Sequence, residues 1–465
     1  MSEGRIVIVS NRVPSEGPPS GGLVVALHDC LREHGGVWFG TSGDPVEGAE
    51  ERFTEHQGDG YTMRTFDLTP AEFEGYYLSY ANGVLWPLCH RRADLMVVED
   101  GAFEAYIGVN RKLARMLAKE LRPDDRIWVH DYHFLPLAQC LREEGVEATI
   151  GYFHHIPFPT THSLLALPQQ KLFPGWISAF DLVGLQTKAD VGTALEVFRR
   201  DIGAEMLPSG RLLYDGREFA VRSFPIGIDA KAFAEEAKKL DGRRLANLSD
   251  DQRLVIGVDR LDYSKGLPNR LRAFGRYLKY REPGDPRATF LQVAPPTREA
   301  LAAYQDVRAQ LERTASTVNG LYGELGWTPV NYIHRGVPRD TLAALYRAAS
   351  VGMVTPLCDG MNLVAKEYVA AQDPDDPGVL ILSHLAGAAE ELEAALLVNP
   401  YDLDGMARAL KQALTMPRDE RRERYEALAR PVFENNVGAW TASYLSALGR
   451  AGEPASSVPL SPVAA

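Results

Sequence analysis

The residues Asp359-Gly360-Met361-Asn362-Leu363-Val364-Ala365-Lys366-Glu367 closely follow the apolar run 351–354. A strand feeding a glycine-containing turn and then a helix leaves the first N–H groups of that helix without intrahelical partners, and a phosphate binds well there. The place suits a diphosphate. Asp359 falls in the loop and Glu367 about two turns later. A carboxylate beside a bound phosphate would repel it, so both acids better suit hydrogen bonds from sugar hydroxyls. The plainer alternative is a capping acid followed by a solvated helix glutamate.

A second run, Asp259-Arg260-Leu261-Asp262-Tyr263-Ser264-Lys265-Gly266, follows the β-branched segment 253–258. Arg260 and Lys265 then leave the carboxyl edge of a strand, the edge at which open α/β sheets bind ligands. Two cations there can neutralise a diphosphate leaving group; surface ion pairs with Asp259 and Asp262 are the alternative. Arg298 ends a similar run, Gln292 onward, and a loop ion pair is its alternative.

In the first half, Ser10-Asn11-Arg12 ends the first strand, and Gly21-Gly22 opens a helical pattern. Paired glycines let a backbone approach a ligand that a Cβ would exclude. Arg12 can grip a phosphate bidentately or stand as a solvent-exposed loop arginine. Two further strands end in His130-Asp131-Tyr132-His133 and His154-His155-Ile156-Pro157, facing the same edge. These histidines lack the i,i+4 helical pairing and cysteine partners usual in zinc sites, so no metal is expected. His133 and His154 suit structural roles better than His155 does. Tyr76-Tyr77 and Trp86-Pro87 bracket a loop-like stretch containing Asn82-Gly83. Their rings can cover the apolar faces of a sugar or pack in a core.

Such strand-end groups need a scaffold. Short β-branched runs at 5–9, 126–130, 148–153 and 181–185 alternate with helical patterns, as do runs at 253–258, 289–293, 330–333, 351–354, 379–382 and 395–398. This is the pattern of parallel sheets covered by helices, so the fold class is α/β with two Rossmann-like units. The first is expected over 1–230, with a last helix at 430–450 free to pack back on it, and the second over 231–450. The charged stretch 232–252 has little β character and marks the boundary. The small, Pro/Ser-rich tail, 451–465, cannot bury enough apolar surface to order itself unaided.

The 465 residues are 45% hydrophobic and 24% charged, ordinary for two globular cores. A formal net charge of −12 argues against nucleic-acid and anionic-membrane partners, so an anionic ligand must meet a local cluster of Arg and Lys. The four scattered cysteines indicate neither a disulfide framework nor a zinc site, and no apolar run has the length of a signal or membrane segment. A cytoplasmic protein is expected. A homo-oligomer is compatible with the sequence.

Taken together, residues 258–266, 355–372, 155–159, 128–133 and 84–87 resemble the trehalose-6-phosphate synthase family, and the resemblance runs from about residue 5 to about residue 445. It implies a GT-B glycosyltransferase fold, two Rossmann-like domains facing each other across a cleft, and trehalose biosynthesis from UDP-glucose and glucose 6-phosphate without a cofactor or metal. It implies a donor site of Gly21, Gly22, Arg260, Lys265, the amides of Leu363 and Val364, Glu367 on the ribose and Val337 at the uracil. Asp359 and His155 would hold hydroxyls of the transferred glucose. Arg12 and Arg298 would clamp the acceptor phosphate, with Tyr77, Trp86 and Asp131 around its sugar. One departure bears on the acceptor: many members read W-x-G-W where this chain has Trp38-Phe39-Gly40-Thr41. The resemblance covers the synthase part alone and not the phosphatase module that some relatives append, so the phosphorylated disaccharide is the expected product.

The family retains the donor configuration, and no carboxylate is obviously placed as a covalent nucleophile, so front-face transfer is expected. Arg260, Lys265, His155, Asp359 and Asp131 form the expected catalytic set. Two other readings stay open: a sister glucosyltransferase with another phosphorylated acceptor, such as a glucosylglycerol-phosphate synthase, and a silent paralogue that senses sugar phosphates. The choice among UDP-, GDP- and ADP-glucose is also open.

Overall fold

A computed structural model describes residues 4–14, 22–249 and 251–452. Gly21 and residues 453–465 of the expected tail lie outside them. The chain divides into two compact units, one of Met1–Pro225 with Gly438–Ala465 and one of Ile226–Val437.

In the first unit the strands are β1 (Ile6–Arg12), β2 (Val37–Thr41), β3 (Thr54–Gln57), β4 (Thr62–Phe66), β5 (Arg126–His130), β6 (Thr149–Phe153), β7 (Leu182–Leu185), β8 (Glu205–Met206), β9 (Leu212–Tyr214) and β10 (Arg217–Ser223). They form one sheet in the order β3-β4-β2-β1-β5-β6-β7-β10-β9-β8. Its centre is parallel and its ends are antiparallel hairpins. Central strands buried on both faces carry unbroken apolar runs, as Ile6–Val9 and Ile127–Val129 do. The helix Val437–Ala451 lies against this unit, with Tyr444 stacked on Trp128 at 4.4 Å and its hydroxyl donating to the Tyr152 carbonyl at 3.1 Å.

The second unit holds β11 (Gln252–Val258), β12 (Arg287–Val293), β13 (Val330–Ile333), β14 (Val351–Val354), β15 (Val379–Ser383) and β16 (Leu396–Val398). Their order is β13-β12-β11-β14-β15-β16, parallel throughout. Every strand therefore delivers its following loop to one edge.

Two sequence expectations need correcting. The stretch bracketed by Tyr76-Tyr77 and Trp86-Pro87 is not a loop: Phe73–Leu85 is a π-helix continued by the α-helix Trp86–Cys89. Burial of Tyr76, Tyr80, Val84 and Leu85 holds it, and Asn82 is buried with its amide donating to the Tyr77 carbonyl at 2.8 Å. The charged stretch 232–252, expected to mark the boundary, lies inside the second unit, because the units divide between Pro225 and Ile226. It includes most of the helix Ala230–Glu236 and all of the helix Gly242–Leu245, because Ala230, Phe233 and Ala237 form a buried stripe at helical spacing. Among the described residues no helix is long and apolar enough to cross a membrane.

Candidate active site

In the second unit the strand order reverses between β11 and β14, and at such a point the loops after the strands diverge and leave room for a ligand. After β11, Asp262 Oδ1 accepts from the Ser264 N–H at 2.9 Å and closes the turn Tyr263–Lys265. Gly266 follows at φ +66°, where a Cβ would come within 2.5 Å of the Thr355 carbonyl oxygen. Only glycine fits there, and it turns the chain into the helix Leu267–Lys279. Lys265 is thereby fixed at the strand edge.

Its Nζ lies 2.5 Å from Asp359 Oδ2, with side chains 11% and 12% exposed. The Asn362 amide donates to the same oxygen at 3.0 Å, while its own Oδ1 accepts from the Ala365 N–H at 3.2 Å and caps the helix Leu363–Ala371. The amides of Leu363 and Val364 stand in the first turn, where no intrahelical acceptor exists. Glu367 lies one turn further along and is half-buried. Burial raises its carboxyl to about 7, and Arg339 opposes the rise. Arg260 is exposed on the loop after β11, and Val337 is half-buried in the loop after β13. Arg298, after β12, turns inward: its Nη1 donates to the Tyr304 hydroxyl at 2.6 Å and sits 3.6 Å from Asp262 Oδ2. The structure thus gathers Lys265, Asp359, Leu363 and Val364 closely and commits Arg298 to a network with Asp262.

In the first unit Arg12 ends β1 with its side chain exposed. Its guanidinium has no hydrogen-bond or ion-pair partner among the described residues, and it lies over Gly43, where a Cβ would fall 2.4 Å from Nε. Thr41 is buried, and its hydroxyl donates to the Asn11 carbonyl at 2.6 Å, so it points into the strand end that carries Arg12. The Tyr76 hydroxyl donates to Asn11 Oδ1 at 2.8 Å and ties the π-helix to the same strand end. Its neighbour Tyr77 stacks on His133 at 5.8 Å. Trp86 is 4% exposed, packed on His90 and Tyr132, so it offers little surface to a ligand.

Asp131 follows β5 at φ +71° and accepts from the His155 N–H at 3.2 Å. The His155 ring lies between His130 Nδ1, 3.0 Å from its Nε2, and the Gln186 amide, 3.5 Å from its Nδ1. Burial pushes His155 and His154 down to about 3 and His130 well below its ordinary value. All three rings are neutral near pH 7, so each serves as a hydrogen-bonding group and not as a cation. His154 joins the Tyr152 hydroxyl at 2.7 Å and the Pro157 carbonyl at 3.3 Å, a structural arrangement. Gly22 begins the helix Gly22–His34. Among the described residues no three His, Cys, Asp or Glu side chains gather as a metal-binding group.

Residues 10–450 match the family model for glycosyltransferase family 20. The chain belongs to glycosyltransferase family 20. It is 45% identical over 454 residues to the trehalose-6-phosphate synthase of Sinorhizobium fredii, covering 96% of this chain and 98% of that one. It also resembles the crystal structure of an α,α-trehalose-phosphate synthase (UDP-forming) from Burkholderia xenovorans in complex with glucose-6-phosphate. That likeness has a TM-score of 0.91 and 45% identity and covers 96% of this chain and 100% of that one. A structure of trehalose-6-phosphate from E. coli bound with UDP-2-fluoro glucose aligns with TM-score 0.92 and 40% identity, covering 96% of this chain and 99% of that one. The fold of this family 20 enzyme is that of the GT-B glycosyltransferases.

Beneath the loops after β11 and β14 of this family 20 chain lies a group that sequence reasoning missed. Arg270 is fully buried; its Nη2 donates to Asp259 Oδ2 at 2.7 Å and to the Lys265 carbonyl at 3.4 Å, and its Nε to the Thr355 hydroxyl at 3.1 Å. One guanidinium therefore braces the loop after β11 and the loop after β14 at once. The signal was present: Arg270 falls on the apolar face shared by Leu267, Leu271 and Phe274, where a lone arginine needs a buried partner. Gln186 at the end of β7 and Gly43 were also missed, each legible only once its neighbour is known.

Proposed function

We propose that the protein is a retaining glucosyltransferase that joins glucose from UDP-glucose to glucose 6-phosphate, giving α,α-trehalose 6-phosphate and UDP. Lys265 and the first turn of Leu363–Ala371, brought together across the reversal point of the six-stranded sheet, carry this reading. On it, the second unit binds the donor. The amides of Leu363 and Val364 receive the diphosphate, Lys265 and Arg260 stabilise charge developing on the leaving oxygen, Glu367 bonds the ribose, and Val337 borders the uracil. Gly22, at the start of the helix Gly22–His34, is a further proposed donor contact. Asp359 and His155 hold hydroxyls of the transferred glucose. The first unit binds the acceptor through Arg12, Tyr77 and Asp131, with Trp86 as the packed wall behind Tyr132. Arg298 reaches the acceptor phosphate by exchanging its Asp262 contact.

The acceptor oxygen attacks the anomeric carbon from the face the diphosphate leaves. The departing oxygen takes the acceptor proton, so no covalent nucleophile is needed. The cations and the helix terminus supply the charge stabilisation, which supports a metal-independent reaction. With EDTA present, turnover should stay within about twofold of the untreated enzyme; a loss restored by Mg²⁺ or Mn²⁺ would overturn this part. A cytoplasmic location is supported by the scattered spacing of Cys30, Cys89, Cys140 and Cys358 along the chain, which indicates no disulfide framework.

The deciding experiment offers several nucleotide-glucoses and phosphorylated acceptors together and identifies the product. UDP-glucose and glucose 6-phosphate should give a non-reducing disaccharide phosphate, with free glucose scarcely used. Arg12→Ala should lower kcat/KM for the acceptor by about a hundredfold and leave UDP binding unchanged, because a charged bidentate contact with one substrate is lost. An Arg12→Ala defect confined to UDP would remove the clamp, and preference for glycerol 3-phosphate would move the enzyme to the sister activity.

A further inference from the structure

A cavity of about 400 Å³ opens at the amino edge of the six-stranded sheet, where β11, β14 and β15 begin. The proposed donor groups occupy the opposite edge, about 20 Å away along a seven-residue strand. Four arginines line the cavity: Arg243, Arg253, Arg347 and Arg421. Two carboxylates, Asp373 and Asp376, stand among them. In a chain of net charge −12 this is a local surplus of positive charge.

Two of the arginines have structural work. Arg347 donates to Asp373 at 2.7 Å and to the Ala371 carbonyl at 3.4 Å. Arg421 donates to Asp376 at 2.7 Å, to the Met416 carbonyl at 3.3 Å and to the Pro377 carbonyl. They satisfy carbonyls at or just beyond helix ends, the ordinary place for a cation, and each is matched by one carboxylate. The other two remain. Arg243 uses one N–H on the Ser249 carbonyl at 2.9 Å, and Arg253 bonds no partner among the described residues. Among the described residues neither is paired with a carboxylate.

We propose that this cavity binds the phosphate group of a small metabolite, held by Arg243 and Arg253. Two guanidiniums without a carboxylate partner among the described residues match a phosphate dianion, and each still has two N–H groups to offer it. The volume falls in the range of small-molecule sites. No aromatic ring lines the cavity, so nothing there would stack on a nucleobase, and the polar lining fits a hydroxylated body such as a sugar. The site is separate from the proposed catalytic groups and does not rest on their assignment.

The test is calorimetric titration of glucose 6-phosphate, inorganic phosphate and free glucose, with UDP saturating, into the full chain carrying Arg12→Ala and Arg298→Ala; the substitutions remove both arginines proposed for the acceptor phosphate, and UDP fills the proposed diphosphate site. A saturable one-to-one site for both phosphate compounds and none for glucose is expected. Adding Arg243→Ala and Arg253→Ala should weaken that binding at least tenfold. Tighter binding of the ester than of inorganic phosphate would identify a sugar phosphate as the ligand, and equal binding would identify free phosphate; both support the site. Absence of saturable phosphate binding, or identical isotherms with and without Arg243 and Arg253, would overturn it. In the otherwise unchanged chain, Arg243→Ala/Arg253→Ala should keep catalytic turnover within about twofold, which shows that the fold survives.

Discussion

Lys265→Ala should lower kcat by roughly two to three orders of magnitude while leaving the melting behaviour of the protein nearly unchanged. Removing one preorganised donor from a developing charge costs about 3 to 4 kcal/mol in the transition state, and this lysine is held in place by its surroundings. Gly266 and the Asp262 turn fix its backbone, and Asp359, itself held by the Asn362 amide, fixes its amine. If the lysine acts on the leaving diphosphate, the loss falls on kcat more than on the acceptor KM. Steady-state kinetics with each substrate varied separately checks this, and a folded variant with near-normal turnover would remove Lys265 from the mechanism.

Arg270→Ala should destabilise the second unit by about 3 to 5 kcal/mol, because it leaves the buried Asp259 carboxylate without its charge partner. Both side chains are almost wholly inaccessible, at 0% and 2% exposure, so water cannot replace the lost contact. The double change Arg270→Met/Asp259→Leu should recover much of that stability, since it removes both charges together. Activity should not recover with it, because the Lys265 carbonyl and the Thr355 hydroxyl would still lack their donor. Hydrogen exchange at β11 and β14 reads the second unit by itself. A single variant as stable as the double would show that the pair contributes nothing.

The central strands were legible because burial on both faces writes an unbroken apolar run: β5, β13 and β14 start and stop where the runs 126–130, 330–333 and 351–354 do. The edges were not. All four residues of β3, Thr54–Gln57, are exposed, so its identity depends on pairing with β4 and leaves no mark in hydrophobicity. The π-helix was missed because its glycine and asparagine suggest a turn, whereas its aromatic residues are buried by partners far along the chain, such as Tyr106 and Phe134. Candidate site residues showed through at strand ends, where loops carry ligand groups. What the sequence hid was commitment: the inward turn of Arg298 toward Asp262, the bracketing of His155 by His130 and Gln186, and the pairing of Lys265 with Asp359 are long-range contacts.

The helix Val437–Ala451 gives the molecule an order of assembly. Its Trp440, Tyr444, Leu445 and Leu448 are buried in the first unit, and Tyr444 fills the space over Gly151 and Gly184 where any larger residue on β6 or β7 would collide with it. During synthesis the ribosome makes the whole second unit before this helix emerges, a delay of roughly 10 to 40 s at ordinary elongation rates. The second unit, encoded as one continuous stretch, can close its own core as it appears. The first must wait with an apolar groove beside Trp128 and Phe153 open to its surroundings, so the N-terminal half of the protein is the last to finish folding and the half most dependent on protection while it waits.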